Sequence, residues 1–192
     1  MTIDDFMEAF GQEWTERTRD ETSCDQIAQA YRHDGAWTNF MLGRKQQQDG
    51  FLDAVGRRLK RSVGKEWFYL DCVLYREEPQ LIGYGVYPAG YDVVIEHENG
   101  EQVEQEMWKQ LMWRSPLKVL IFYDYLDNER EANEQMARWL DSKIAQLRAM
   151  VVQTWKWWPE NEASEYLLIV GSASCRGALP QWRHFSLSCP CP

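Results

Sequence analysis

The sequence predicts an α/β (α+β) fold, a central mixed β-sheet flanked by helices on both faces, in a single domain over residues 1–192. Three observations predict it. Up to about residue 65, apolar residues recur at three- and four-residue spacing. From residue 66 to residue 98 the chain turns aromatic and β-branched. From residue 101 to residue 171, helical patterns alternate with two nearly continuous apolar runs, as expected of strands covered on both faces. A run of strands followed by β-α-β units implies a mixed sheet. The chain is long enough for one core and not comfortably long enough for two, and no internal repeat or interdomain linker divides it. It therefore reads as a helical part (1–65), a sheet-centred core (66–171) and a tail (172–192).

Each element has its own signal. Ile3, Phe6, Met7, Phe10 and Trp14 mark a helix over 3–20, weakened at Gly11. Ile27, Ala28 and Tyr31 mark a second, ending near His33-Asp34-Gly35, and Trp37, Phe40, Met41 and Leu42 suggest a short apolar turn or helix. Phe51, Leu52, Val55 and Leu59 share one face of a helix over about 47–62. Residues 66–76 then read as a strand, Glu77 to Gln80 as a turn, and Leu81 to Tyr87 as a partner strand with Gly83 and Gly85 against it. After Pro88-Ala89-Gly90 comes a strand from Tyr91 to Glu98, then a helix from Glu101 to Trp113 stopped by Ser115-Pro116. Leu117 to Tyr123 is a buried strand, and Asp127 or Asn128 caps a long helix reaching about Thr154. Residues 155–165 read as a loop and 166–171 as the last buried strand, before a tail in which Trp182 and Phe185 add a helix or strand.

Composition excludes several classes. No apolar run approaches the roughly 20 residues of a membrane span, and the acidic start Met1-Thr2-Ile3-Asp4-Asp5 does not resemble a signal peptide. A cytoplasmic protein without membrane contact is expected. Five scattered cysteines (Cys24, Cys72, Cys175, Cys189, Cys191) suggest no disulfide framework, and Cys189-Pro190-Cys191 reads as a tail with free thiols. The formal net charge of −9 argues against coating nucleic acid by bulk electrostatics. Between Arg44 and Lys65, however, basic residues (Arg44, Lys45, Arg57, Arg58, Lys60, Arg61, Lys65) outnumber Asp49 and Asp53. That run reads as a solvated helix face or as a phosphate-contacting patch. The ten Trp imply large buried rings or stacking surfaces, and Trp155-Lys156-Trp157-Trp158 suits a hydrophobic plug, a dimer contact or base stacking.

One stretch points to chemistry. In a strand, Glu96 and Glu98 share a face, while Val93, Ile95 and His97 take the other. Two carboxylates about 7 Å apart beside apolar sequence are costly unless a positive charge neutralises them or the strand is half exposed. A divalent metal is one such charge, and Asp71 on the preceding strand stands as a further ligand. His97 reads as packed against a helix, and Asn99 as a residue that turns or caps the chain.

Glu66 with Asp71, Glu96-His97-Glu98-Asn99, Glu106-Met107-Trp108-Lys109-Gln110-Leu111 and Lys118-Val119-Leu120-Ile121-Phe122-Tyr123 form an ordered set over about residues 60–171. That set resembles the restriction-endonuclease-like, or PD-(D/E)xK, nuclease superfamily, and within it small bacterial members with an E-H-E-N strand. The resemblance implies an α-β-β-β-α-β core and a metal-dependent nuclease that hydrolyses phosphodiester bonds in DNA with Mg²⁺ or Mn²⁺. It makes Asp71, Glu96 and Glu98 the metal ligands. Glu98 stands where the superfamily usually has Lys, a departure that some members meet with a Lys from the following helix; here that is Lys109, the fourth catalytic candidate. Glu13 matches an extra acidic residue used by some members.

Two other readings stand beside this one. The net charge, the displaced Lys and the absence of an attached DNA-reading domain suit a catalytically silent nuclease-like module that binds a protein partner or forms a homodimer. A small acidic immunity-type protein that neutralises a basic toxin is the other.

Overall fold

The computed structural model describes residues 1–44, 48–76, 79–82, 85–88, 90–124, 132–159, 163–172 and 178–187. The first third is helical. Helix α1 (Ile3–Arg17) begins at a reciprocal cap, in which Thr2 Oγ1 accepts from Asp5 N at 3.1 Å and Thr2 N donates to Asp5 Oδ2 at 2.9 Å. Helix α2 (Glu21–Tyr31) starts at Asp20, whose Oδ1 accepts from Ser23 N at 3.0 Å, and α3 (Asp34–Leu42) follows. Helix α4 (Phe51–Arg58) is shorter than its apolar spacing predicts. A two-stranded ribbon, β1 (Gly43–Arg44) with β2 (Gln48–Asp49), takes the residues before it. At the end of that ribbon, a Cβ on Gly50 would lie 2.3 Å from Gly43 N, so the close approach requires glycine.

The sheet is mixed. Its strands are β3 (Ser62–Trp67), β4 (Leu70–Tyr75), β7 (Val93–Glu98), β8 (Leu117–Asp124), β9 (Glu165–Ser172) and β10 (Gln181–Ser186). They lie in the order β10-β9-β8-β7-β4-β3. β3, β4 and β7 form an antiparallel meander, β7, β8 and β9 run parallel, and β10 returns antiparallel. Helix α5 (Val103–Leu111) crosses between β7 and β8, and α6 (Ala132–Trp157) between β8 and β9. The α+β fold with a mixed sheet stands as the sequence predicts.

Two expectations for the meander fail. The strand predicted over 66–76 is two strands, because the chain reverses at Phe68-Tyr69 without a Gly or Asn to announce it. The predicted partner strand at 81–87 is outside this sheet, folded as a separate hairpin of β5 (Pro79–Ile82) and β6 (Gly85–Pro88). Helix α6 also runs on through Trp157, where a loop was expected from residue 155. The turn residues Glu77, Glu78, Gly83 and Ala89, the cap candidates Asp127 and Asn128, and Cys175, Cys189 and Cys191 lie outside the described residues.

Helices cover both faces. On one, Phe6, Phe10, Ile27, Trp37, Met41 and Phe51 from α1–α4 pack with Leu74, Ile95, Ile121 and Ile169. On the other, Met107 and Leu111 of α5 and Leu140, Leu147 and Val151 of α6 pack with Leu120, Phe122, Leu168 and Val170. β8 is buried along its whole length, which explains its unbroken apolar run. Among the described residues, no helix is long and apolar enough to cross a membrane.

Candidate functional site

The meander register brings Asp71 and Glu96 together. Cys72 pairs with Ile95 and Val73 with Val94, so the next residues, Asp71 and Glu96, stand opposite each other on the face turned toward α5. The main-chain ladder between β4 and β7 stops there. Asp71 Oδ2 accepts the next amide, His97 N, at 2.8 Å, which fixes the carboxylate against β7. On its other side the pair between Asp71 and Glu66 is missing from an otherwise regular β3–β4 register. Glu66 has a φ of 50° and is exposed, so a left-handed backbone takes this second acid away from Asp71.

Helix α5 closes the site with a cation. Lys109 Nζ donates to Glu96 Oε2 at 3.2 Å and is also ion-paired with Glu106 Oε2, one helical turn back. Glu96 is fully buried, and its Oε1 has no hydrogen-bond partner among the described residues. Burial first, and then the neighbouring Asp71, push the Glu96 carboxyl up to about 9, against the pull of Lys109. Asp71 is also raised, chiefly by burial, although the His97 amide and Lys109 draw it down. Burial works against the charge on Lys109, but Glu106 and Glu96 outweigh it and hold the ammonium above the ordinary lysine range.

The other candidates are placed differently. Glu98 shares the face of Glu96 but is only half-buried, and its Oε1 accepts from Gly100 N at the end of the strand. His97 faces the opposite side, where Nε2 meets Tyr123 Oη at 2.8 Å, and burial brings its imidazole down to about 3. Asn99 donates to Thr38 Oγ1 at 2.5 Å and to Asp34 O at 3.2 Å, tying the end of β7 to α3. Glu13 belongs to the opposite face of the sheet, where its carboxylate is held by Arg17 at 2.7 Å and Arg58 at 2.9 Å.

No family model, curated protein or solved structure matches this chain.

Of the basic run that reads as a solvated face or a phosphate-contacting patch, four members are ion-paired within the chain. Arg57 pairs with Asp49 at 2.6 Å, Arg58 with Glu13 and Glu16, Arg61 with Asp92, and Lys65 with Asp53 at 2.5 Å. Lys45 lies outside the described residues.

Sequence reasoning assigned no role to three features. Glu106 had a legible signal, its i,i+3 spacing to Lys109. Lys118 is wholly buried on the α5–α6 side of β8, where its Nζ donates to Tyr166 Oη at 3.2 Å and lies 4.9 Å from the ring centroid. Burial lowers this ammonium to about 8. In the sequence it opens the Lys118–Tyr123 motif without a role of its own. The third is the Phe68-Tyr69 turn. Lys109 Nζ also donates to Tyr69 O at 3.3 Å, so the hairpin tip sits at the edge of the site.

Proposed function

We propose that this chain is a metal-dependent phosphodiesterase of the restriction-endonuclease-like type, hydrolysing phosphodiester bonds in DNA. The observation that carries the reading is the meeting of Lys109 with Glu96, a fully buried carboxylate facing Asp71 and carrying an unpartnered oxygen. The element order α4-β3-β4-β7-α5-β8, with the β5–β6 hairpin inserted, also supports it, because it follows the α-β-β-β-α-β order that the resemblance implies.

Among the described residues, no group of three or more His, Cys, Asp or Glu side chains is set to hold a metal ion. Mg²⁺ does not need one, since it keeps several waters and is commonly bound through one or two carboxylates plus substrate phosphate. The free Oε1 of Glu96 and the facing carboxylate of Asp71 are hard oxygen donors that fit such an ion. Asp71 and Glu96 would hold it, and when bound it lowers the pKa of a water and neutralises charge on phosphate. The residues of the chain do the rest. The His97 amide orients Asp71. Glu96, whose burial favours the protonated form, would release that proton to solvent on holding a cation. Lys109 sets a fixed positive charge where the scissile phosphate gathers negative charge, and Glu106 keeps its ammonium in place. Glu98 stands apart as a residue whose carboxylate braces the strand end.

The silent-module reading has its own observation: Lys109 already compensates Glu96 and Glu106 within the fold, so the cluster is also self-sufficient as an ion-pair group. Calorimetric titration of Mn²⁺ into wild type and into an Asp71→Asn, Glu96→Gln double variant tests the choice, followed by cleavage of plasmid, single strands and RNA. Binding and cleavage present in wild type and lost in a folded double variant are expected. Neither metal binding nor cleavage in wild type, with or without DNA present, rejects the enzyme.

A further inference from the structure

The turn that joins β3 to β4 is built against the residue preferences of its own geometry. A two-residue hairpin loop with both central φ angles positive strongly favours Asn-Gly or Asp-Gly. Here the two positions are Phe68 (φ 53°) and Tyr69 (φ 69°), large rings in a backbone region that bulky residues rarely adopt. Left-handed strain of this kind gathers at sites where the side chains are used. Both side chains face solvent, Tyr69 at 91% and Phe68 at 55% exposure.

The turn is coupled to the carboxylates. The ammonium that pairs with Glu96 and Glu106 also binds Tyr69 O, and Asp71 lies two residues beyond on β4. Trp108, next to Lys109 on α5, is 56% exposed, and Phe68 rests in a tilted contact on the half-buried Trp113 at 5.8 Å. Aromatic faces are therefore open to solvent on both elements that build the site.

We infer that these rings are a stacking platform for the bases of an unpaired strand, so that the substrate class of the site is single-stranded rather than duplex DNA. The inference rests on the phosphodiesterase reading above. A duplex hides its base faces in its own stack, whereas an unpaired strand offers them, and base–aromatic stacking is sequence-tolerant. Electrostatics points the same way. With a net charge of −9, and Arg57, Arg58, Arg61 and Lys65 ion-paired to acids of the chain, attraction to phosphate contributes little and stacking must supply the affinity.

The test is fluorescence anisotropy in EDTA, with a labelled short DNA strand alone and annealed to its complement. It compares the full-length wild type with F68N/Y69G and with W108A. The first variant installs the residues that the turn prefers, and its urea midpoint, measured alongside, separates weakened binding from unfolding. The single strand is expected to bind at least about tenfold tighter than the duplex, with shallow salt dependence, and each variant to bind it roughly 5- to 150-fold more weakly. Equal or tighter binding of duplex, unchanged affinity in both variants, or no binding of either form overturns the inference. So does self-association that F68N/Y69G abolishes when no strand is bound, which assigns the surface to a second copy. Cleavage with Mn²⁺ separates the two proposals. Cleavage of duplex by wild type and F68N/Y69G alike removes the platform and leaves the hydrolase. Platform-dependent binding without cleavage of any substrate removes the hydrolase and leaves the platform.

Discussion

Glu96 is a carboxyl group held in its acid form by its surroundings. Its ordinary pKa of 4.5 rises to about 9 in the fold, so between these values the folded chain binds more protons than the unfolded one. The contribution of Glu96 to stability is therefore fully present below about pH 4.5 and is lost as pH rises toward 9. The slope from this one group is at most about 1.4 kcal/mol per pH unit. Glu96→Gln, which mimics the protonated acid, should flatten this part of the pH–stability curve in urea melts; an unchanged slope would remove Glu96 as its source. On the phosphodiesterase reading, metal affinity should run the opposite way, tightening from pH 6 toward about 9 as the cation competes with fewer protons. Lys109 is the partner to test by double-mutant cycle. At a pH high enough to ionise Glu96, Lys109→Met should destabilise more in wild type than in Glu96→Gln, with a coupling of about 0.5–3 kcal/mol. Additive effects would mean that the 3.2 Å contact contributes nothing.

The β3–β4 hairpin holds the largest conflict between local preference and observed geometry. Left-handed backbone at a residue with a Cβ costs roughly 1–2 kcal/mol. Phe68→Asn with Tyr69→Gly should therefore raise stability by about 1–3 kcal/mol, read as a higher urea midpoint at unchanged slope. A fall in the midpoint would show that the rings contribute packing that outweighs the turn. Helix α5 is the second element that matters, and its faces divide the work. Val103, Met107 and Leu111 anchor it to the sheet, Glu106 and Lys109 face the carboxylates, and Trp108 and Met112 are left in solvent. A helix fixed by one apolar stripe can thus present a cation at the edge of that stripe without disturbing the core.

Across the whole molecule the helical first third and the sheet share one core. Trp37 has no exposed surface and contacts Tyr31 at 4.9 Å, Phe40 at 4.9 Å, Tyr123 at 5.9 Å and Trp182 at 6.4 Å between ring centroids. Its neighbours come from α2, α3, β8 and β10, so α2 and α3 cannot detach without opening the sheet face. Trp37→Ala should cost about 3–5 kcal/mol, a large part of the stability of a typical domain. Circular dichroism and tryptophan fluorescence should report the same midpoint for wild type. Separated midpoints would mean that helices and sheet unfold independently. The surface charge is distributed by the same architecture: Arg57, Arg58 and Lys65 form ion pairs beside α4, on the far side of the sheet from the Asp71–Glu96 face.

Hydrophobic period alone determined much of this protein. The spacing in α1, α2, α5 and α6 and the unbroken runs of β8 and β9 follow from which faces must leave water, and that depends on the order of residues alone. The shared face of Glu96 and the strand position of Asp71 were legible for the same reason, and so was the turn of His97 to the other side. Only the tertiary structure decided the partners. Whether Asp71 stands beside Glu96 or Glu98 is a matter of register between two strands separated by residues 76–92, and a two-residue change of register would exchange them. Whether Lys109 reaches Glu96 depends on how α5 is seated on β7 and β8, where Gln110 Nε2 donates to Val119 O at 2.5 Å. The Phe68-Tyr69 turn had no local signal, because its conformation opposes the preference of both residues and is imposed by the pairing of Trp67 with Leu70. Short-range patterning records which side of an element is buried; contacts between elements record what that side meets, and the candidate site is made of the second kind.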